Sequence, residues 1–153
     1  MMSGPMDADL LTFPPHEAPE RLNPLVLAYI GDAVYELFVR QYVISLANHR
    51  PNRLHKMATA YVSAKAQAKA LQSWLPVLTE EEADVVRRGR NAKSGSSPKN
   101  AGILEYRHAT AFECLVGYLY YKRQYDRLHR LMQLALEYLN EPRDVNCDRK
   151  SGE

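Results

Sequence analysis

The sequence predicts an all-α protein, a helical bundle around one central buried helix. Three observations carry this. Apolar residues recur at three- and four-residue spacings through most of residues 24–139, the pattern of helices with one buried face. Prolines and capping residues fall between those stretches rather than inside them. No segment alternates apolar and polar residues with the period of two that a strand needs.

A chain of 153 residues, 46% hydrophobic and 25% charged, is long enough for one domain with its own core. Net charge is only +2, so any case for a polyanionic partner has to be local. Cys114 and Cys147 have neither CxxC nor zinc-ligand spacing, and the histidines are scattered. That argues against a disulfide framework or a zinc centre and leaves Cys114 as an ordinary buried thiol. No apolar run approaches ~18 residues and no secretory pattern opens the chain. A cytoplasmic protein without a membrane span is expected.

Residues 1–22, with Pro5, Pro14, Pro15 and Pro19, read as an extended or partly disordered arm. The domain proper is expected over 23–141. Asn23 is a good N-cap and Pro24 suits the first helical position, so a helix starts there and runs to about Ala47. Its stripe is Leu27, Ile30, Val34, Leu37 and Phe38, yet Leu25, Ala28, Val39 and Val43 make the opposite side apolar too. Such a helix belongs in the middle of a domain, with only Tyr29, Glu36 and Arg40 wet. A second helix is predicted from about Arg53 to Leu75, with Met57, Tyr61, Ala64, Ala68 and Leu71 inward. Its lysines and arginine read as a solvated face, and Pro76 ends it. Thr79 and Glu82 form a capping box that opens a short helix with Val85 and Val86, reaching about Arg90. A fourth helix is predicted over about 103–122, with Ala109, Phe112, Leu115, Val116 and Leu119 inward. The fifth runs from about Asp126, its cap, to Leu139, burying Leu128, Leu131, Met132, Ala135 and Leu136. Residues 142–153 read as a polar tail.

Asp32 shares its side of the first helix with apolar residues, and a buried carboxylate without a partner is costly. Gly31 beside it costs about 1 kcal/mol relative to alanine in a helix, which close approach of another element would offset. Glu113 is the single charge in a stripe of Tyr106, Thr110, Gly117 and Tyr120, and Gly117 again invites a close neighbour. Two such acids can converge on one ion, since packed helix axes lie about 8–10 Å apart. Carboxylate oxygens in that number suit Mg²⁺, which keeps several waters and takes one or two carboxylates plus substrate phosphates. Such an ion polarises a phosphoryl oxygen and lowers the pKa of water, the chemistry of phosphodiester hydrolysis. Asp32 paired with an arginine of another helix is the structural alternative. The run from Arg87 to Asn100 is basic, rich in Gly and Ser, and free of acids. Arg87, Arg88, Arg90, Asn91, Lys93 and Lys99 are its candidates for gripping a phosphate backbone, with Arg107 close behind. An ordinary solvated loop is the alternative there.

Ile30-Gly31-Asp32-Ala33-Val34 resembles the signature helix of the ribonuclease III catalytic domain. Thr110-Ala111-Phe112-Glu113-Cys114-Leu115-Val116-Gly117 resembles that domain's second acidic helix. Asn23-Pro24-Leu25 leading into Ala28–Glu36, the Arg87–Lys93 run and Tyr106-Arg107 are similar to the Mini-ribonuclease III branch, which lacks a separate RNA-binding domain. The resemblance covers roughly residues 22–140. Where the longer enzymes carry further acids, this sequence has Ala28, four before Asp32, and Thr110, three before Glu113. The resemblance implies a Mg²⁺-dependent endoribonuclease for double-stranded RNA, acting as a homodimer and leaving 5′-phosphate ends. It implies a role on the 23S ribosomal RNA precursor, helped by a large-subunit ribosomal protein. It assigns Asp32 and Glu113 to the metal, the basic run to RNA, and Thr110 to a hydrogen bond with a water of the metal's shell. A catalytically silent helical RNA-binding or ribosome-assembly module is the rival reading, and it rests on the reduced number of acids.

Overall fold

The computed structural model describes residues 10–46, 50–93 and 102–142. Its helices are α1 (Pro24–Ser45), α2 (Pro51–Val62), α3 (Ala64–Trp74), α4 (Glu80–Asn91), α5 (Gly102–Tyr121) and α6 (Tyr125–Asn140). Short 3-10 turns occupy Pro19–Arg21 and Leu75–Val77, and no strand occurs among the described residues. Lys99, Cys147 and the tail from 143 onward lie outside them.

Two helix starts follow directly from local chemistry. The Asn23 side chain accepts a hydrogen bond from the Leu25 amide at 2.8 Å, with Pro24 in the first turn. At α4 the capping box forms in both directions: Glu82 N–H to Thr79 Oγ1 at 3.1 Å and Thr79 N–H to Glu82 Oε1 at 2.9 Å. Glu82 does more than cap. It is 3% exposed and takes a two-pronged grip from Arg127, Nε to Oε2 at 2.9 Å and Nη2 to Oε1 at 2.8 Å, which ties α4 to α6.

The predicted second helix is two. Ser63 interrupts it with an extended ψ of 154° and caps α3 by accepting from Ala66 N–H at 3.2 Å. The register of the inward face changes at that break. Ala64 is exposed, Leu71 is buried as expected, and Ala66, Gln67, Ala70 and Trp74 are buried with it. The start of α6 also differs: Gln124 holds the cap position without a side-chain bond, and Asp126 sits inside the first turn. The five apolar residues expected to face inward from α6 are all buried.

The central helix is α5, not α1. Helices α1, α3 and α4 all pack on α5, and α6 packs chiefly on α3. Between Ala109 and Leu119 every residue of α5 is buried except Glu113. At the middle of the core Phe112 stacks on Trp74 at 4.2 Å and receives the edge of Tyr35 at 4.8 Å. Trp74 keeps its indole N–H satisfied on the Leu131 carbonyl at 2.7 Å. By contrast, α1 buries only one side, through Leu27, Ala28, Gly31, Tyr35, Val39 and Val43. Its opposite side is open and apolar: Val26 is 48% exposed, Tyr29 83%, Leu37 52% and Ile44 53%.

The arm is tied down along part of its length. Leu11 accepts from the Tyr120 hydroxyl at 2.8 Å, and Glu20 pairs with Lys122.

Candidate active site

The acids meet because two glycines let their helices touch. A β-carbon built on Gly31 would lie 1.8 Å from the Glu113 carbonyl oxygen. One built on Gly117 would lie 2.0 Å from the Leu27 carbonyl oxygen. Any side chain at either position would force α1 away from α5. The close approach expected from Gly31 and Gly117 is therefore between these two helices, backbone against backbone. It sets Asp32, exposed on α1, beside Glu113, partly buried on α5, near enough for the charge of one carboxyl group to act on the other.

Two carboxyl groups in that contact cannot both be charged at low cost. Burial pushes the Glu113 carboxyl up, and the charge of the neighbouring Asp32 pushes it the same way, to about 8. No cation's field offsets them. Among the described residues no arginine or lysine forms a salt bridge with Asp32, so the structural alternative is not formed there. Two acids so placed make a negative site in which burial favours a proton on Glu113. The donor set is oxygen only and fits a hard divalent ion that keeps waters. No cluster of three or more metal-ligating side chains occurs among the described residues, so the two acids form a pair rather than a cage. Thr110, on the same side of α5, is buried and donates to the Tyr106 carbonyl at 3.0 Å within the helix.

The basic run begins as helix. Residues 87–91 complete α4, and Gly89 seats it on α5, where an added β-carbon would lie 2.8 Å from Cys114 Cβ and 3.0 Å from Ala111 Cα. The basic end of α4 and the acid pair thus attach to the same turn of α5, residues 111–114. Not every cation there is uncommitted. Arg87 pairs with Asp84 one turn back. Arg88 is half-buried and donates to the Glu20 carbonyl at 3.3 Å. Arg90, Asn91, Lys93 and Arg107 are exposed. Cys114 is 1% exposed, with burial raising its thiol to about 12, so it is an inert core residue.

Sequence reasoning missed Glu20, which holds both Lys122 and Arg88 from within a proline-rich arm that showed no periodicity. It also missed the Glu82–Arg127 pair, whose partners lie 45 residues apart with no local signature.

Comparison with known proteins agrees with this geometry. Residues 25–124 match the family described as Ribonuclease III domain, a span that contains both acids and the basic end of α4. The chain is 56% identical over 117 residues to the Mini-ribonuclease 3 of Brevibacillus brevis, covering 76% of this chain and 87% of that one. It is 50% identical over 124 residues to the Mini-ribonuclease 3 of Enterococcus faecalis, covering 80% and 94%. Among solved structures, protein FN1578 of Fusobacterium nucleatum superposes with a TM-score of 0.68 at 28% identity, covering 76% of this chain and 93% of that one. An all-helical fold, two acids brought together by paired glycines and relatives matched along most of their length lead to one assignment: the chain belongs to the ribonuclease III family, in its Mini-ribonuclease III branch.

Proposed function

We propose that the double-strand-specific endoribonuclease activity that goes with this family is carried here by Asp32 and Glu113, holding Mg²⁺ between α1 and α5. The observation that carries the reading is the carboxyl pair itself, exposed on one side and set by a glycine contact no other residue type permits. Bound there, the ion supplies Lewis-acid polarisation of the phosphoryl group and a lowered pKa for attacking water. The chain's own residues do the rest. Asp32 faces solvent and offers its oxygens first. Glu113 in its ionised form would hold the ion beside Asp32, and its backbone carbonyl is packed against Gly31, so its position is fixed. Arg90, Lys93, Lys99 and Arg107 neutralise phosphates and Asn91 hydrogen-bonds them, with the remaining donors of Arg87 and Arg88. A-form RNA offers mainly phosphates and 2′-hydroxyls to such a surface, so sequence preference is limited.

The finer reading extends to the 23S ribosomal RNA precursor as substrate, a large-subunit ribosomal protein as helper, a cytoplasmic setting and a homodimer. The open apolar side of α1 supports the last of these, since a soluble monomer has little use for a stripe of Val26, Tyr29, Leu37 and Ile44. No described helix is long and apolar enough to cross a membrane. The test is cleavage of a long RNA duplex with and without Mg²⁺, beside Asp32→Asn. Cutting by the wild type alone, only with the ion, supports the nuclease reading. If neither protein cuts while both bind RNA, the silent RNA-binding module takes its place.

A further inference from the structure

The chain is electrically lopsided in a place the basic run does not explain. Residues 37–79 contain no aspartate or glutamate, and they include Arg40, Arg50, Arg53, Lys56, Lys65 and Lys69. That stretch carries +6, so the remainder of a chain whose total is +2 carries −4. Helix α4, where the expected phosphate-gripping arginines sit, has four acids of its own, and Arg87 is paired with one of them. On α2 and α3 there is no acid to spend charge on. Arg53, Lys56 and Lys65 are exposed, and Arg50, Asn52, Arg53 and Lys56 line an open groove along the start of α2 with Pro51 and Met57 as its floor.

The helix that carries this surface packs on α1. Glu36, Arg40 and Val43 meet Leu54, His55, Ala58 and Thr59 of α2 around a cavity of about 350 Å³. Asp32 precedes Glu36 by one turn on that same side. The Tyr35 hydroxyl donates to the Tyr61 carbonyl at 3.2 Å, which fixes the far end of α2 close to the level of Asp32. With a rise of about 1.5 Å per residue, Lys56 lies about 7.5 Å and Arg53 about 12 Å farther along α2 from that anchor. We infer that the outer face of α2, through Arg53 and Lys56 with Lys65 at the start of α3, is a second phosphate-contacting surface for the RNA duplex, outside the segment being cut. The inference rests on the nuclease reading and adds to it where the flanking duplex runs: across α1 onto α2, as well as over the loop after α4.

The test is a binding titration of the full-length protein with a long RNA duplex at several salt concentrations, in an Asp32→Asn background so that the RNA stays whole. Arg53→Glu/Lys56→Glu is expected to weaken binding at least about tenfold and to flatten the log–log salt slope by about two, each lost phosphate contact being worth roughly 0.7–0.9 in slope. Arg53→Gln/Lys56→Gln shifts both quantities the same way and by less. Arg130→Glu, an exposed charge reversal on α6, is the control for net charge and binds like its parent. Unchanged affinity and slope in both α2 variants overturns the inference, as does an equal loss in Arg130→Glu. Either result leaves the nuclease reading intact, because that reading stands or falls on cleavage by the wild type.

Discussion

Glu113 illustrates how a single side chain can be both a liability and a tool. Its ordinary value is 4.5, and in the folded, metal-free protein burial and Asp32 raise it to about 8. Below 4.5 it is protonated in the folded and unfolded chain alike, so it makes no difference to stability. As pH rises toward 8 the unfolded chain ionises first while the folded protein keeps the proton, and stability is lost through that window. Glu113→Gln should therefore unfold like the wild type near pH 4 and at least about 1 kcal/mol, or ~2–4 °C, above it at pH 8 without metal. Thermal melts across the range check this. A gap that shrinks as pH rises would mean that Glu113 is not held above its ordinary value in the folded protein. Glu82 has the opposite sign: the Arg127 hydrogen bonds hold its carboxyl below the usual range, so its contribution is present at neutral pH and fades on acidification through that lowered value. Asp32 and Glu113 stood out as candidates in the sequence, since each lies among apolar helical residues with a glycine one or four positions away. Glu82 showed only its capping half, because its arginine comes from a distant helix.

Among the elements, the α1–α5 contact decides the rest. Mid-helix glycine to alanine ordinarily gains about 1 kcal/mol. Here the sign reverses, because the added carbon of Gly31→Ala meets a backbone carbonyl that no side-chain rotation can move. Gly31→Ala is expected to lose about 1–3 kcal/mol or more in denaturant unfolding and to lose cleavage with it. A stabilised variant would contradict the packing. The glycines announced a close approach, and two caps announced their helices, because both signals are local. The break at Ser63 did not show itself: a serine in an alanine-rich run is tolerated in a helix, and only the docking of α3 on α5 makes it a cap. The burial of α1 was misjudged for a related reason. Periodicity reports that a face is apolar, not what covers it, and a face open in one chain reads the same as a face in the core.

For the whole molecule, that open face predicts assembly. Leu37→Glu places a charge in the exposed apolar stripe far from the α5 contact, so the monomer should fold while a dimer seen by sedimentation of the wild type dissociates. A monomeric wild type would contradict the homodimer. The all-helical class was legible from the spacing of apolar residues. The charge map was not, because a net of +2 hides an acid-free segment of +6. The central claim is that Asp32 and Glu113 form the ion-holding pair, and calorimetric titration of the full-length protein with Mg²⁺ near pH 8 tests it most directly. Saturable binding by the wild type that both Asp32→Asn and Glu113→Gln abolish is the predicted result. Binding that survives in both variants would place the ion elsewhere and contradict the account.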